Sequence, residues 1–105
     1  MAKLETLKSK EEIQSLFKFG KRVTHSPVTF IFMQNGLQDY RFLFCVDKSS
    51  KIAVKRNRVK RILRAVVICL NLKKGYDVAI IANYSITKIK FIQRIELFNK
   101  FFNHL

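Results

Sequence analysis

Between residues 53 and 65 the chain reads AVKRNRVKRILRA. Lys55, Arg56, Arg58, Lys60, Arg61 and Arg64 lie in this run, with Asn57 among them and no acid. It is not a shapeless basic tail, because a second pattern overlies the charge. Val59, Ile62, Leu63, Val66 and Leu70 recur at helical spacing and form one apolar stripe. At roughly 100° per residue, Asn57, Lys60, Arg61 and Arg64 fall on the side opposite that stripe. The run predicts a helix docked by its apolar stripe, with a rigid basic face left to solvent. Guanidinium and ammonium groups held about one turn apart suit a polyanion with regularly spaced phosphates.

Residues 1–105 read as a single domain with one modest core. Apolar residues make up 49% of the chain and are spread along its length, which argues against disorder. The net charge of +14 repels itself in a compact chain and far exceeds what solubility needs, so it points to a nucleic-acid partner. An anionic membrane surface is the main competitor. No apolar run approaches the roughly 20 residues of a membrane span. The opening MAKLETLKSKEE has neither the apolar core nor the cleavage site of a secretory signal. Cys45 and Cys69 sit in apolar segments, too far apart for a zinc knuckle or redox pair. They are expected to be buried, reduced thiols in a cytoplasmic protein.

A first helix is expected over residues 11–19. The stretch from Ser9 to Glu12 matches a capping box, and Gly20 is a suitable stop. Ile13, Leu16 and Phe17 form its apolar stripe. Residues 28–33 read as a strand, with Val28, Phe30 and Phe32 on one face and Thr29, Ile31 and Met33 on the other. Asn35-Gly36 signals a turn, and residues 40–46 read as the returning strand of an antiparallel hairpin. The basic helix is expected to run to about Leu72. Residues 78–82 are nearly all apolar, as in a strand covered on both faces. A last helix is expected over 88–103, burying Phe91, Ile92, Ile95, Phe98 and Phe102. The order is helix, two or three strands, helix, strand, helix. That is an α/β (α+β) two-layer sandwich with one small mixed sheet, and the basic helix is the crossover of a βαβ unit.

The acids offer little for hydrolysis. Glu11 and Glu12 belong to a helix start, and Glu5, Asp39, Asp47, Asp77 and Glu96 are scattered without metal-ligand spacing. His25 and His104 stand alone. No catalytic residue and no metal ligand is assigned, and an independent protein nuclease is not expected. Phe17 fits either core packing or a stacking surface for unpaired bases. Asn57 fits either a helix cap or an RNA contact. Alternation separates the two faces of the first strand without saying which is buried.

The run AVKRNRVKRILRA closely resembles the Arg-Asn-Arg signature of the bacterial ribonuclease P protein subunit, Ala-Val-x-Arg-Asn-x-x-Lys-Arg-x-x-Arg. Ala53, Val54, Arg56, Asn57, Lys60, Arg61 and Arg64 all match. The flanks are similar too: an early helix with paired apolar or aromatic positions before a Gly, a strand pair, and Gly75-Tyr76-Asp77-Val78. In residues 47–52, ahead of the signature, only Lys48 matches the family's loop. The resemblance implies a left-handed βαβ crossover, against the usual preference. It also implies a role: binding the catalytic RNA of ribonuclease P and the 5′ leader of precursor tRNA, with no obligate protein partner and no membrane. The RNA would perform the phosphodiester hydrolysis with Mg2+ held mainly by itself. The implied RNA-binding residues are Lys48, Lys55, Arg56, Asn57, Arg58, Lys60, Arg61 and Arg64. Ile13, Phe17 and Ile31 would line the leader cleft. The rival reading is a small basic ribosomal or other RNA-binding protein without a processing role.

Overall fold

The computed structural model describes residues 5–7, 9–37, 39–47, 52–70 and 75–105. The chain runs β1 (Glu5–Thr6), α1 (Lys10–Phe19), β2 (Lys21–His25), β3 (Val28–Gln34), β4 (Arg41–Val46), α2 (Ala53–Ile68), β5 (Tyr76–Ala82), a 3-10 turn (Tyr84–Lys88) and α3 (Phe91–Phe102). The five strands form one mixed sheet in the order β1-β4-β5-β3-β2.

The expected hairpin between β3 and β4 does not form. β5 inserts between them, antiparallel to β3 and parallel to β4. Asn35-Gly36 does turn the chain: Gly36 has φ 71°, and Asn35 Oδ1 accepts from the Leu37 amide at 2.8 Å. But a turn signal is local, whereas the order of strands is settled by burial. Val78, Ala79 and Ile80 are fully buried, so β5 is stable only with neighbours on both sides and helices on both faces. The connection from β3 to β4 therefore steps over one strand, roughly 10 Å at ordinary sheet spacing. The real hairpin joins β3 to β2 across Ser26 and Pro27, whose peptide bond is cis. β4 and β5 are parallel and linked through α2, so the basic helix is indeed the crossover.

The strands' alternation divides the core in two. Val28, Phe30, Phe42, Val78 and Ile80 face α2 and α3, where they meet Val59, Leu63, Val66, Phe98, Phe101 and Phe102. Ile31 and Ala79 face α1, under Leu16. Ser9 caps α1 by accepting the Glu12 amide. Gly20 ends it in an extended conformation, where a Cβ would sit 2.9 Å from Ile31 Cγ2 and closer still to the Leu16 carbonyl. A side chain there would lift α1 off β3.

Two helices are shorter than expected. α2 ends at Ile68, with Cys69 and Leu70 beyond it, and α3 starts at Phe91. Phe91 and Ile92 are exposed and Phe101 is buried, because the packed stripe of α3 begins about one turn further on, at Ile95. No helix among the described residues is long and apolar enough to cross a membrane.

Candidate nucleic-acid interface

α2 divides its residues as the two superposed patterns require. Val59, Leu63, Val66 and Val67 are buried, while Lys55, Arg56, Asn57, Arg58, Lys60, Arg61 and Arg64 are all exposed. The helix begins at Ala53, so Asn57 lies in its second turn and is not its cap. The N-cap position is Ile52, with no side-chain hydrogen bond. No acid occupies the first turn, so nothing on α2 itself offsets its charge.

The cations sort around the helix axis. Arg56, Lys60 and Arg64 follow one another one turn apart on the flank beside β4. Arg64 stacks its guanidinium on the Phe44 ring, 5.8 Å from the centroid, and the Lys60 charge acts on the Cys45 thiol. Lys55 lies on the other flank, with its ammonium 5.1 Å from the Tyr84 ring centroid. Arg58 and Arg61 point away from the body of the protein, between the two flanks. These cation–π contacts orient the charged heads themselves, and a guanidinium stacked by its face still has its N–H edge to offer phosphate.

The sheet face under α1 supplies a floor beside this flank. α1 packs on β3 and β5 and leaves β4 partly uncovered. Leu43, Cys45, Thr29 and Ile81 are half-buried there. Ile13 forms part of the α1 wall, packed on the small cluster around Leu16. Phe17, one turn later, is 42% exposed, far more than a core phenylalanine. Ile31 does not line this floor: it is 1% exposed, sealed under Leu16 and the close approach at Gly20. Lys48 lies outside the described residues.

Cys45 and Cys69 differ from expectation: Cys45 is half-buried and Cys69 exposed. Cys69 follows the last turn of α2 and so escapes the helix's buried stripe. Desolvation pushes the Cys45 thiol up, and Lys60 offsets part of that rise. Alkylation by iodoacetamide near pH 8 should therefore modify Cys69 well before Cys45, since the thiolate is the reactive form. Mass spectrometry over time checks this; equal rates would mean that the β4 side of the floor is fully open to solvent.

One end of the floor is pinned by charge. Asp77, only 2% exposed, takes Arg41 in a two-pronged contact, Nε to Oδ1 and Nη2 to Oδ2, both 2.8 Å. Asn35 Nδ2 donates to Oδ1 at 3.0 Å, and Arg41 also pairs with Glu12 of α1. These bonds raise the Arg41 pKa, the Asp77 bond most. They tie the turn after β3, the starts of β4 and β5, and α1 into one joint. Along the sequence Arg41, Glu12 and Asp77 stand as isolated charges. An Asp at the start of an otherwise apolar strand was the signal that it needed a partner. Leu43 and Cys45 were also missed as floor residues, although they share a face with Ile31 and Thr29.

A family model described as Ribonuclease P matches residues 1–105. The chain belongs to the ribonuclease P protein family. A ribonuclease P protein component from Caldanaerobacter subterraneus subsp. tengcongensis is 37% identical over 91 residues, covering 85% of this chain and 78% of that protein. One from Pelotomaculum thermopropionicum is 32% identical over 99 residues, covering 91% and 87%. Among solved structures, the Thermotoga maritima RNase P protein superposes with a TM-score of 0.83 at 21% identity, covering 96% of this chain and 97% of that one. The Staphylococcus aureus RNase P protein gives 0.74 at 22% identity, covering 93% and 92%. At that identity the two structures speak to the fold, and the mixed α+β fold is theirs. Membership of the family makes the chain a subunit of a tRNA-processing endoribonuclease, with an RNA subunit as partner.

Proposed function

We propose that this chain divides its RNA contacts between two surfaces of α2. Arg58 and Arg61 on its outer face grip the catalytic RNA, with Lys55 and Lys48 adding phosphate contacts. Arg56, Asn57, Lys60 and Arg64, with the floor of Leu43, Cys45 and Ile81 and the α1 wall of Ile13 and Phe17, hold the 5′ leader of precursor tRNA. The observation that carries this reading is a cationic flank standing beside a half-open apolar floor. Single-stranded RNA binds where phosphates meet cations and unstacked bases meet an apolar or aromatic surface. The whole chain, residues 1–105, serves as one RNA-binding domain in the cytoplasm.

Among the described residues no three His, Cys, Asp or Glu side chains gather as ligands, and Asp77 is already taken by Arg41 and Asn35. The metal and the hydrolysis belong to the RNA subunit in this reading, and the protein orients the substrate. Fixing one strand in place lowers the entropy to be lost when the scissile phosphate is aligned.

Phe17 gives the sharpest test, because it is neutral. Phe17→Ala should leave the salt dependence of binding nearly unchanged and remove one stacking surface, worth about 1–3 kcal/mol. The loss should appear with precursor tRNA carrying a leader several nucleotides long and vanish with mature tRNA. Thermal melting read in parallel separates the alternative: a core Phe would cost ~3–5 kcal/mol of stability. Strong destabilisation with equal loss for both tRNAs would remove Phe17 from the cleft.

A further inference from the structure

A recess opens beside the C-terminal end of α1, floored mainly by the sheet face turned toward α3, with Met33 reaching it from the α1 side. Phe19, the last residue of α1, is 68% exposed, well beyond Phe17 on the same helix. It rims the recess, which is about 440 Å³ and lined by Lys21, Phe32, Met33, Gln34 and Tyr76. The strand register places Phe32 opposite Lys21 and Val78, and Gln34 opposite Tyr76. Lys21, Phe32, Gln34 and Tyr76 therefore share the face of Val78, which looks toward α3, whereas Leu43, Cys45 and Ile81 look toward α1. α3 covers this face as far as Phe32, where Phe101 packs at 5.2 Å between ring centroids. Beyond it the recess is open.

An exposed phenylalanine alone means little. This one is embedded in the chemistry of nucleotide recognition. Lys18 holds its ammonium 5.2 Å from the Phe19 centroid, and Lys21, also exposed, lies across the recess. The Gln34 amide donates to the Tyr76 hydroxyl at 3.4 Å, a long bond that a better partner would displace. An aromatic ring, the Lys21 ammonium, an amide and a phenol thus converge on a space of ligand size, with the Lys18 ammonium beside the Phe19 ring.

We propose that this recess binds one unstacked nucleotide of RNA. Its base stacks on Phe19, its phosphate meets Lys21 and Lys18, and its polar edge meets the Gln34 amide and the Tyr76 hydroxyl. The nucleotide comes from the catalytic RNA or from the precursor; the chemistry is the same for both. The inference rests on the RNA-binding reading above but concerns a different face.

The test compares Phe19→Ala, Phe19→Trp and Lys21→Gln in the assembled enzyme. One arm titrates the protein into a bacterial ribonuclease P RNA, and the other measures precursor and mature tRNA binding by the holoenzyme. Phe19→Ala should weaken one of these steps about fivefold or more, with Phe19→Trp restoring it, as expected for stacking. Loss at assembly identifies the catalytic RNA as the source; loss with precursor but not mature tRNA identifies the leader. Lys21→Gln should make the affected step's log–log salt slope shallower by roughly 0.7. That slope decides the matter if Phe19→Ala does not fold. Wild-type affinity and slope for Phe19→Ala and Lys21→Gln in both arms would overturn the proposal and leave the leader cleft standing. A wild-type protein that binds neither RNA would bring down both.

Discussion

Phe30→Ala should cost the isolated protein about 3–5 kcal/mol of folding stability. Phe30 is fully buried at the centre of β3, where β2 and β5 flank it. Its ring lies parallel to Phe101 with centroids 4.0 Å apart, and edge-on to Phe98 at 5.2 Å and Phe102 at 6.0 Å. Truncation removes the apolar area and leaves a cavity between a sheet and a helix that are fixed by other contacts. The rings around it cannot all collapse inward, so the cost should fall well above that of a surface change. Urea denaturation at constant m-value measures it. A loss below about 1.5 kcal/mol would mean that α3 repacks freely, and that the aromatic cluster is not what holds it on the sheet.

Replacing Arg56, Lys60 and Arg64 together by Gln should weaken binding of leader-bearing precursor tRNA by roughly fiftyfold at 0.15 M salt. Each phosphate contact with a single strand releases about 0.7 counterion, worth roughly fourfold at that salt concentration. The log–log salt slope should become shallower by about 2. All three side chains are exposed, and Gln is nearly as good a helix former, so folding should survive. Arg58 and Arg61 changed in the same way should instead weaken assembly with the catalytic RNA. If the two sets of changes act alike on both steps, α2 presents one undivided polyanion surface, and the division between its flank and outer face is wrong.

The basic helix was legible because both of its patterns lie on the same stretch of chain. Apolar spacing placed Val59, Leu63 and Val66 inward, and that placement carried the cations outward with no further information. The faces of β3 were legible for the same reason: Val28, Phe30 and Phe32 alternate cleanly with Thr29, Ile31 and Met33. What failed was everything that depends on which element covers which. Asn35-Gly36 announces a turn, and a turn is present, but no local signal says that β5 will enter between β3 and β4. The sequence KRVTH of β2 has one apolar residue in five, too few to stand out as a strand, yet Val23 is enough to dock it beside Phe30. Ile31 shares a face with the floor and lies under α1, so face alone could not tell an open position from a sealed one. Phe91, Ile92 and Phe101 show the same limit: the helical stripe was located, and its contact with the sheet begins a turn later than periodicity suggests.

The same limit shaped the reading of the site. The cations of α2 and the α1 wall of Ile13 and Phe17 came from spacing and resemblance, whereas Leu43, Cys45 and Ile81 emerged only once α1 was seen to leave β4 uncovered. The joint of Asp77, Arg41, Asn35 and Glu12 joins residues 12 to 77 and could not be read from any one segment.

Reconstitution tests the central claim most directly. The purified chain is combined with a bacterial ribonuclease P RNA at a magnesium concentration too low for the RNA alone, and cleavage of precursor tRNA with leaders of increasing length is followed. Cleavage at the mature 5′ end should appear only when protein and RNA are both present, and it should strengthen as the leader grows long enough to cross the floor. Precursor cleavage that is no faster with the protein than without it, at every leader length, would contradict the account.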